Sequence, residues 1–332
     1  MASVHDQRQP HRVEGTAVAL RDPLPWDGFA ELARAAESLG YRAIFLPEIA
    51  GRDAFAALTA LAGETSSLLL GTGIVPMRSR VPRLTAMGAA TVNERSGGRA
   101  ILGIGTGPAR KGALDALAMQ IHQIRALLGG TPASLVVDDL EPLSLRSPSA
   151  VPVWIAGLGP RSMQLAGRIA DGVLLNWCSP ERVAQARLDI RAAAEEAGRD
   201  PDAVTIAVYV RACVDQDDPM AALAAAKAAT GEYASYPAYG RQFAAMGLGS
   251  QAEAAATAYR AGTPADVPDG LVEAICLVGE VATARDRLDA YREAGADLPV
   301  VYPILVPDSE AEWSVGATMR ALAPVATSST VS

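Results

Sequence analysis

The residues of this chain best suited to chemistry are glycines that end apolar runs. In WIAGLGPRS (154–162) a strand-like run breaks into Gly157, Leu158 and Gly159, and Pro160 follows where an opening helix tolerates a missing N–H. The free amides of that first turn, with the helix dipole behind them, suit a phosphate. Arg161 and Ser162 would add charge and a hydroxyl, although an ordinary tight turn has the same composition. ILGIGTG (101–107) is a second such run. It lacks both the six-position dinucleotide fingerprint and the Lys-Ser/Thr pair of a P-loop. Alone it says only that backbone approaches something closely. A third group is aromatic. Tyr233, Tyr236, Tyr239 and Phe243 fall within GEYASYPAYGRQF, in a chain with 5% aromatic residues. They could form a substrate lid, a dimer contact or an outer packing seam.

Eight short β-prone runs must position these segments: 13–20, 42–48, 68–75, 100–105, 151–157, 172–176, 204–214 and 297–304. Helical stretches follow the first seven, with Asp27 a candidate cap for the first helix and Pro82 opening the third. The runs are apolar on both faces, as parallel strands covered by helices are. Eight such units predict an α/β fold, a (β/α)8 TIM barrel. The rival doubly wound sheet needs fewer strands and places its glycine-rich loop after the first. A Pro-, Ser- and Leu-rich connection at 130–150 could hold a small hairpin. The reading is one domain over 13–320, with 215–270 inserted between strands seven and eight and flexible tails at 1–12 and 321–332.

Bulk properties limit the partners. The 332 residues are 50% hydrophobic with net charge -8, which argues against a nucleic-acid surface. Cys178, Cys213 and Cys276 are few and widely spaced, which suits a reducing compartment and gives neither a disulfide framework nor a metal knuckle. No apolar segment reaches membrane-spanning length and residues 1–12 are no signal peptide, so a cytoplasmic protein is expected.

Three segments together resemble one family: LLLGTGIVPMRSRVPRLTAMGAATVNERSGGRAILGIGTG (68–107), VPVWIAGLGPRSMQLAGRIADGVLLN (151–176) and LVGEVATARDRLDAYREAGADLPVVYP (277–303). The chain is similar to the luciferase-like flavin and deazaflavin oxidoreductases, and within them to the coenzyme F420-dependent, methylenetetrahydromethanopterin reductase-like branch. The resemblance implies a homodimer and a cofactor ring in the C-terminal mouth of the barrel. It implies a bulge with a non-prolyl cis peptide at Gly73-Ile74 behind the ring, and Thr106 and Gly107 on the floor. It places the cofactor phosphate at Gly157, Leu158, Gly159 and Pro160, flanked by Asn176 and Trp177. Coenzyme F420 is the implied cofactor, with FMN and a monooxygenase reaction the alternative, and a non-catalytic binding barrel a further one.

The departures from that branch bear on the reaction. Its sugar-phosphate dehydrogenases carry a histidine after strand two, where this chain has Glu48; the histidines here are His5, His11 and His122. Pro108 stands where those enzymes have a glutamate. An acidic site would repel an anionic substrate, so the expectation is hydride transfer to an activated C=C or C=N bond of a neutral or hydrophobic molecule. Glu48 is then the catalytic candidate, as a proton donor with a raised pKa or as a carboxylate steadying a cation; otherwise it pairs with Arg42 or Arg52. Tyr236, Tyr239 and Phe243 are the substrate-binding candidates. One of Arg78, Arg80 and Arg83 would meet the acidic tail of F420, and Arg95 and Arg99 would pair with Glu94 or Asp171.

Overall fold

The computed structural model describes residues 12–21, 24–107, 110–129, 143–144, 150–214, 217–307 and 309–324. Strands and helices alternate from the start: β1 (Ala17–Ala19), α1 (Trp26–Ser38), β2 (Ala43–Pro47), α2 (Ala54–Leu61), β3 (Leu69–Pro76), α3 (Pro82–Arg95), β4 (Ala100–Gly105) and α4 (Ala113–Leu128). The alternation continues through β5 (Val153–Gly157), α5 (Pro160–Ile169), β6 (Gly172–Asn176), α6 (Pro180–Glu196) and β7 (Thr205–Cys213). Four helices follow: α7 (Pro219–Ala234), α8 (Pro237–Ala245), α9 (Gly249–Ala261) and α10 (Asp269–Ile275). The chain then forms β8 (Cys276–Val278), α11 (Val281–Glu293), β9 (Leu298–Pro303) and α12 (Ala311–Ala321).

β1 to β7 pair in order and in parallel, and β9 pairs with both β1 and β7, so eight strands close a barrel. The ninth was not foreseen. β8 pairs only with the end of β7, Arg211 to Cys213, above the point where β6 leaves that edge. Its three residues, CLV, are too short to stand out in a helical stretch.

Alternation along the strands sorts side chains into two cores. Phe45, Ile101, Trp154, Leu174, Tyr209, Val300 and Tyr302 fill the barrel interior, whereas Ile44, Leu102, Ile155, Val173, Val208 and Val301 face the surrounding helices. At the N-terminal end, the buried Asp297 pairs with Arg12 and Arg187 and accepts the Ile206 amide at 2.7 Å. Conserving geometry at that end serves closure of the barrel, and the C-terminal end is left for function.

Helix starts follow local chemistry. Proline opens α3, α5, α6, α7 and α8, and the carboxylates of Asp53 and Asp218 cap α2 and α7, each at 2.9 Å. Asp27 is not a cap; it lies in the first turn of α1, whose N-cap is Pro25. Among the described residues Arg99 pairs with no acid either. It donates to the carbonyls of Leu68 and Thr65 at 2.7 and 2.9 Å, while Asp171 pairs with Arg125 at 2.8 Å. Leu322, expected in a flexible tail, is buried. His5, His11, Pro108, most of the 130–150 connection with its expected hairpin, and the outermost residues of both tails lie outside the described residues. His122 is exposed on α4.

Candidate cofactor and substrate site

The floor of the C-terminal mouth is shaped by a bulge in β3. β2 pairs Leu46 with Thr72 and then Pro47 with Ile74, skipping Gly73. On the other side the ladder to β4 breaks between Gly71 and Val75. Thr72 splints the gap: its hydroxyl donates to the Gly103 carbonyl at 2.7 Å and accepts the Gly103 amide at 2.8 Å. Gly73 is obligatory here, because a Cβ would lie 2.4 Å from the Tyr209 hydroxyl and 2.6 Å from the Pro47 nitrogen. Beside the bulge, Gly103, Gly105 and Ala156 keep the β4–β5 side of the floor low; a Cβ at Gly105 would meet both Ala156 and Ile74 at 3.2 Å.

The phosphate candidates divide. Gly157 faces the packed interior, where a Cβ would come 2.1 Å from Met163. Around Gly159 and Gly107 the corresponding space is open. Gly107 has φ +68°, and the Thr106 hydroxyl donates to its carbonyl at 2.9 Å. The Leu158 and Gly159 amides point at the Ser162 hydroxyl, each at 3.2 Å, and that hydroxyl donates to the Gly159 carbonyl at 2.7 Å. These are long bonds to a rotatable group at the positive end of α5, which opens with Pro160. The Arg182 guanidinium reaches the Leu158 carbonyl at 3.5 Å, adding a cation that sequence reasoning missed.

At the end of β6 the chain turns sharply into the inserted helices. Trp177 has φ +53°, a strained conformation for a bulky residue, and is wholly buried. Gln242 of α8 holds that turn by donating to the Asn176 and Trp177 carbonyls at 2.7 and 2.6 Å. The Asn176 amide donates to the Tyr239 hydroxyl at 2.9 Å, and burial pushes that phenol up to about 12. Tyr239 is thus joined to the end of β6. Phe243 is fully buried among the inserted helices, edge-on to Trp177 at 6.4 Å, and Tyr236 is 45% exposed with its hydroxyl on Glu232. Phe243 therefore presents no surface. Tyr233 lies between Trp177, tilted at 37° with ring centroids 4.7 Å apart, and Tyr239, edge-on at 5.0 Å.

Glu48 does stand after β2, its amide donating to the Ile74 carbonyl at 3.2 Å. Its partner is neither Arg42 nor Arg52. Arg80 makes a bidentate pair with it, at 2.9 and 2.7 Å, and the Ala54 amide donates to it at 3.0 Å. Arg80 also bonds Asp53 and lies 4.9 Å over the Phe55 ring. Three donors thus converge on this one carboxylate. Arg80 is committed as well; Arg78 is exposed and free to meet an acidic tail.

Sequence reasoning missed Arg211. It shares the inward face of β7 with Ala207 and Tyr209, is 5% exposed, and lies among Tyr302, Trp177, Tyr233 and Tyr209. A charged residue at odd spacing in the otherwise apolar run VTIAVYVRACV was a usable signal. A cleft of about 430 Å3 bordered by Glu181, Met246, Glu273 and Arg287 includes none of these residues.

Residues 4–113 and 122–298 match the model of the luciferase-like monooxygenase family. The chain belongs to that family. Within the luciferase-like proteins, the 5,10-methylenetetrahydromethanopterin reductase of Methanolobus tindarius is 33% identical over 212 residues, 59% of this chain and 64% of that protein. The protein of the same name from Methanopyrus kandleri is 27% identical over 322 residues, 85% of this chain and 90% of its own length. The matches thus span from less than two thirds of one curated relative to most of another. The solved coenzyme F420-dependent tetrahydromethanopterin reductase of Methanopyrus kandleri superposes with a TM-score of 0.76 at 24% identity, over 93% of this chain and 98% of that one. At that identity the likeness establishes the luciferase-like barrel alone.

Proposed function

We propose that this luciferase-like barrel is a reductase that uses coenzyme F420 to transfer a hydride to an activated C=C or C=N bond of a small organic molecule. The observation that carries the proposal is the forced glycine bulge at Gly73, set in one mouth with the open space at Gly107 and Gly159. A flat ring needs such a low floor, and a phosphate needs such a turn. The names of the relatives favour the deazaflavin over FMN.

Reduced coenzyme F420 supplies the hydride when bound; the protein binds, orients and excludes water. Gly73 and Ile74 would back the ring, with Thr106 and Gly107 beneath it. The amides of Leu158 and Gly159, released by rotation of the Ser162 hydroxyl, would hold the phosphate with Pro160, Asn176 and Trp177 around it, and Arg182 would balance its charge. Gly157 would contribute by packing, since its α-carbon faces Met163. Glu48 would fix the β2–β3 edge through Arg80 and the Ala54 amide. Tyr239 and Tyr233 would cover the substrate.

A homodimer fits the exposed apolar side chains Ile49, Val81, Leu84 and Met87 on the β2–α2 turn and α3. A cytoplasmic setting fits three buried free thiols. The test is to titrate purified protein with oxidised F420 and, separately, FMN. F420 is expected to bind, and its absorbance, once bleached by a reductant, to return on adding an enone or imine acceptor. FMN binding with oxygen consumption, and no F420 binding, would replace the proposal with a monooxygenase.

A further inference from the structure

We propose that Arg211 is the receptor for a carboxylate-type oxyanion carried on a planar, otherwise apolar substrate. Its guanidinium carbon lies 3.7 Å from the Tyr302 ring centroid, 4.9 Å from Trp177, 5.3 Å from Tyr233 and 5.8 Å from Tyr209. Among the described residues no carboxylate pairs with it. One nitrogen reaches the Tyr233 hydroxyl at 3.5 Å, the limit of a hydrogen bond, and Nη1 has no partner. Aromatic faces stabilise a buried cation by about 0.5–2 kcal/mol each, yet satisfy none of its N–H groups. An arginine cannot escape by losing its proton. A buried guanidinium in this state lacks an acceptor, and a bound anion would supply one.

The neighbours strengthen the case. Seven buried side-chain polar atoms lack partners among the described residues, and five of them belong to Asn176, Trp177, Tyr209, Arg211 and Gln242. They cluster where β6 and β7 end beneath α8. Arg211 Nη1, Trp177 Nε1 and the Tyr209 hydroxyl are donors, against acceptor oxygens on Asn176 and Gln242. Burial pushes the Tyr209 phenol well above its usual value, so it keeps its proton. One unpaired buried cation matches one negative charge, which favours a carboxylate or enolate oxygen over a dianionic phosphate. The surrounding rings favour a flat body. The expected repulsion of anions at Glu48 is weakened by Arg80, which pairs with that carboxylate and with Asp53. Access requires the Asn176–Tyr239 contact to loosen, since Nη1 is out of reach of water here.

As a substrate site this rests on the reductase proposal; as an anion site it stands alone, and is tested in cofactor-free protein. Calorimetry would compare benzoate with neutral benzamide on the wild type, Arg211→Met and, as a surface control, Arg241→Met. Benzoate is expected to bind at least ~tenfold tighter than benzamide, the scale of a charge-assisted hydrogen bond. Arg211→Met should lose that preference and Arg241→Met keep it, with the melting temperature of Arg211→Met unchanged or raised. Equal binding of the two probes, absence of benzoate binding, or benzoate binding undiminished in Arg211→Met overturns the proposal. If Arg211→Met does not fold, Arg211→Lys and the wild-type probe comparison decide, the lysine being expected to weaken benzoate. Benzoate selectivity without F420 binding would sink the reductase proposal and leave the anion site.

Discussion

At Gly73 a single missing Cβ lets three strands share one point. Alanine there would press on the Tyr209 hydroxyl and on Pro47 backbone at under 3 Å, and the backbone cannot yield as a side chain would. Gly73→Ala is therefore expected to cost about 1–3 kcal/mol in urea unfolding and to abolish F420 binding. Gly159→Ala, with open space around it, should leave stability near wild type and weaken F420 binding only. A fluorescence titration beside each unfolding curve separates the two outcomes. Glu37 carries the pH dependence at this scale. Burial alone would raise its pKa, but hydrogen bonds from Ser67, Leu68 and Ser66 hold it down to about 2. An ordinary carboxyl in the unfolded chain takes its proton near 4.5. Between those values only the unfolded state binds the proton, so this contribution is whole above the upper value and fades as pH falls through the lower. Glu37→Gln should flatten the acid limb of a plot of stability against pH, and an unchanged limb would remove Glu37 from the account.

Elements show which parts of the site could be read from the chain. β4 and β6 were read to the residue, because a parallel strand buried on both faces announces itself as an apolar run bounded by glycine or asparagine. The turn at Gly159 was legible from the glycines and Pro160 that end a strand-like run, whereas the bulge at Gly73 was placed by the family resemblance, and the shape of both then follows from contacts. The lid was harder. Its tyrosines were legible as a cluster, but which of them face the mouth depends on the turn at Trp177, and that turn is held by Gln242 from α8. Sequence spacing carries no trace of a hydrogen bond across 66 residues. Arg211 was legible by strand parity and went unread because the β7 run looks uniformly apolar. The same element predicts a latch. Tyr239→Phe leaves the Asn176 amide without its acceptor and should cost about 1 kcal/mol. Hydrogen exchange should quicken in α8 and leave β3 to β5 unchanged; uniform protection across the lid would show that Gln242 alone holds it.

Across the whole molecule, the barrel separates what holds it together from what it does. The Asp297 cluster ties the N-terminal end, while the C-terminal mouth carries strained, orphaned and open groups that a folded core would avoid. The outer helices add a third assignment. Ile49, Val81, Leu84 and Met87 are 61%, 59%, 54% and 45% exposed; Val81 is the N-cap of α3, and Leu84 and Met87 lie on that helix. The i, i+3 spacing sets Leu84 and Met87 on one helical face, with Val81 just before it. Glu48 and Arg80 directly precede Ile49 and Val81 in the chain, so a second copy docked on this stripe would lie against the segments that frame the mouth. Association is then expected to stiffen the site as well as cover apolar surface. Leu84→Glu should give a monomer by light scattering, with F420 affinity reduced about tenfold or less, because the ring and phosphate contacts lie within one chain. A Leu84→Glu protein that stays dimeric would move the interface elsewhere, and a monomer with unaltered F420 affinity would uncouple assembly from the mouth.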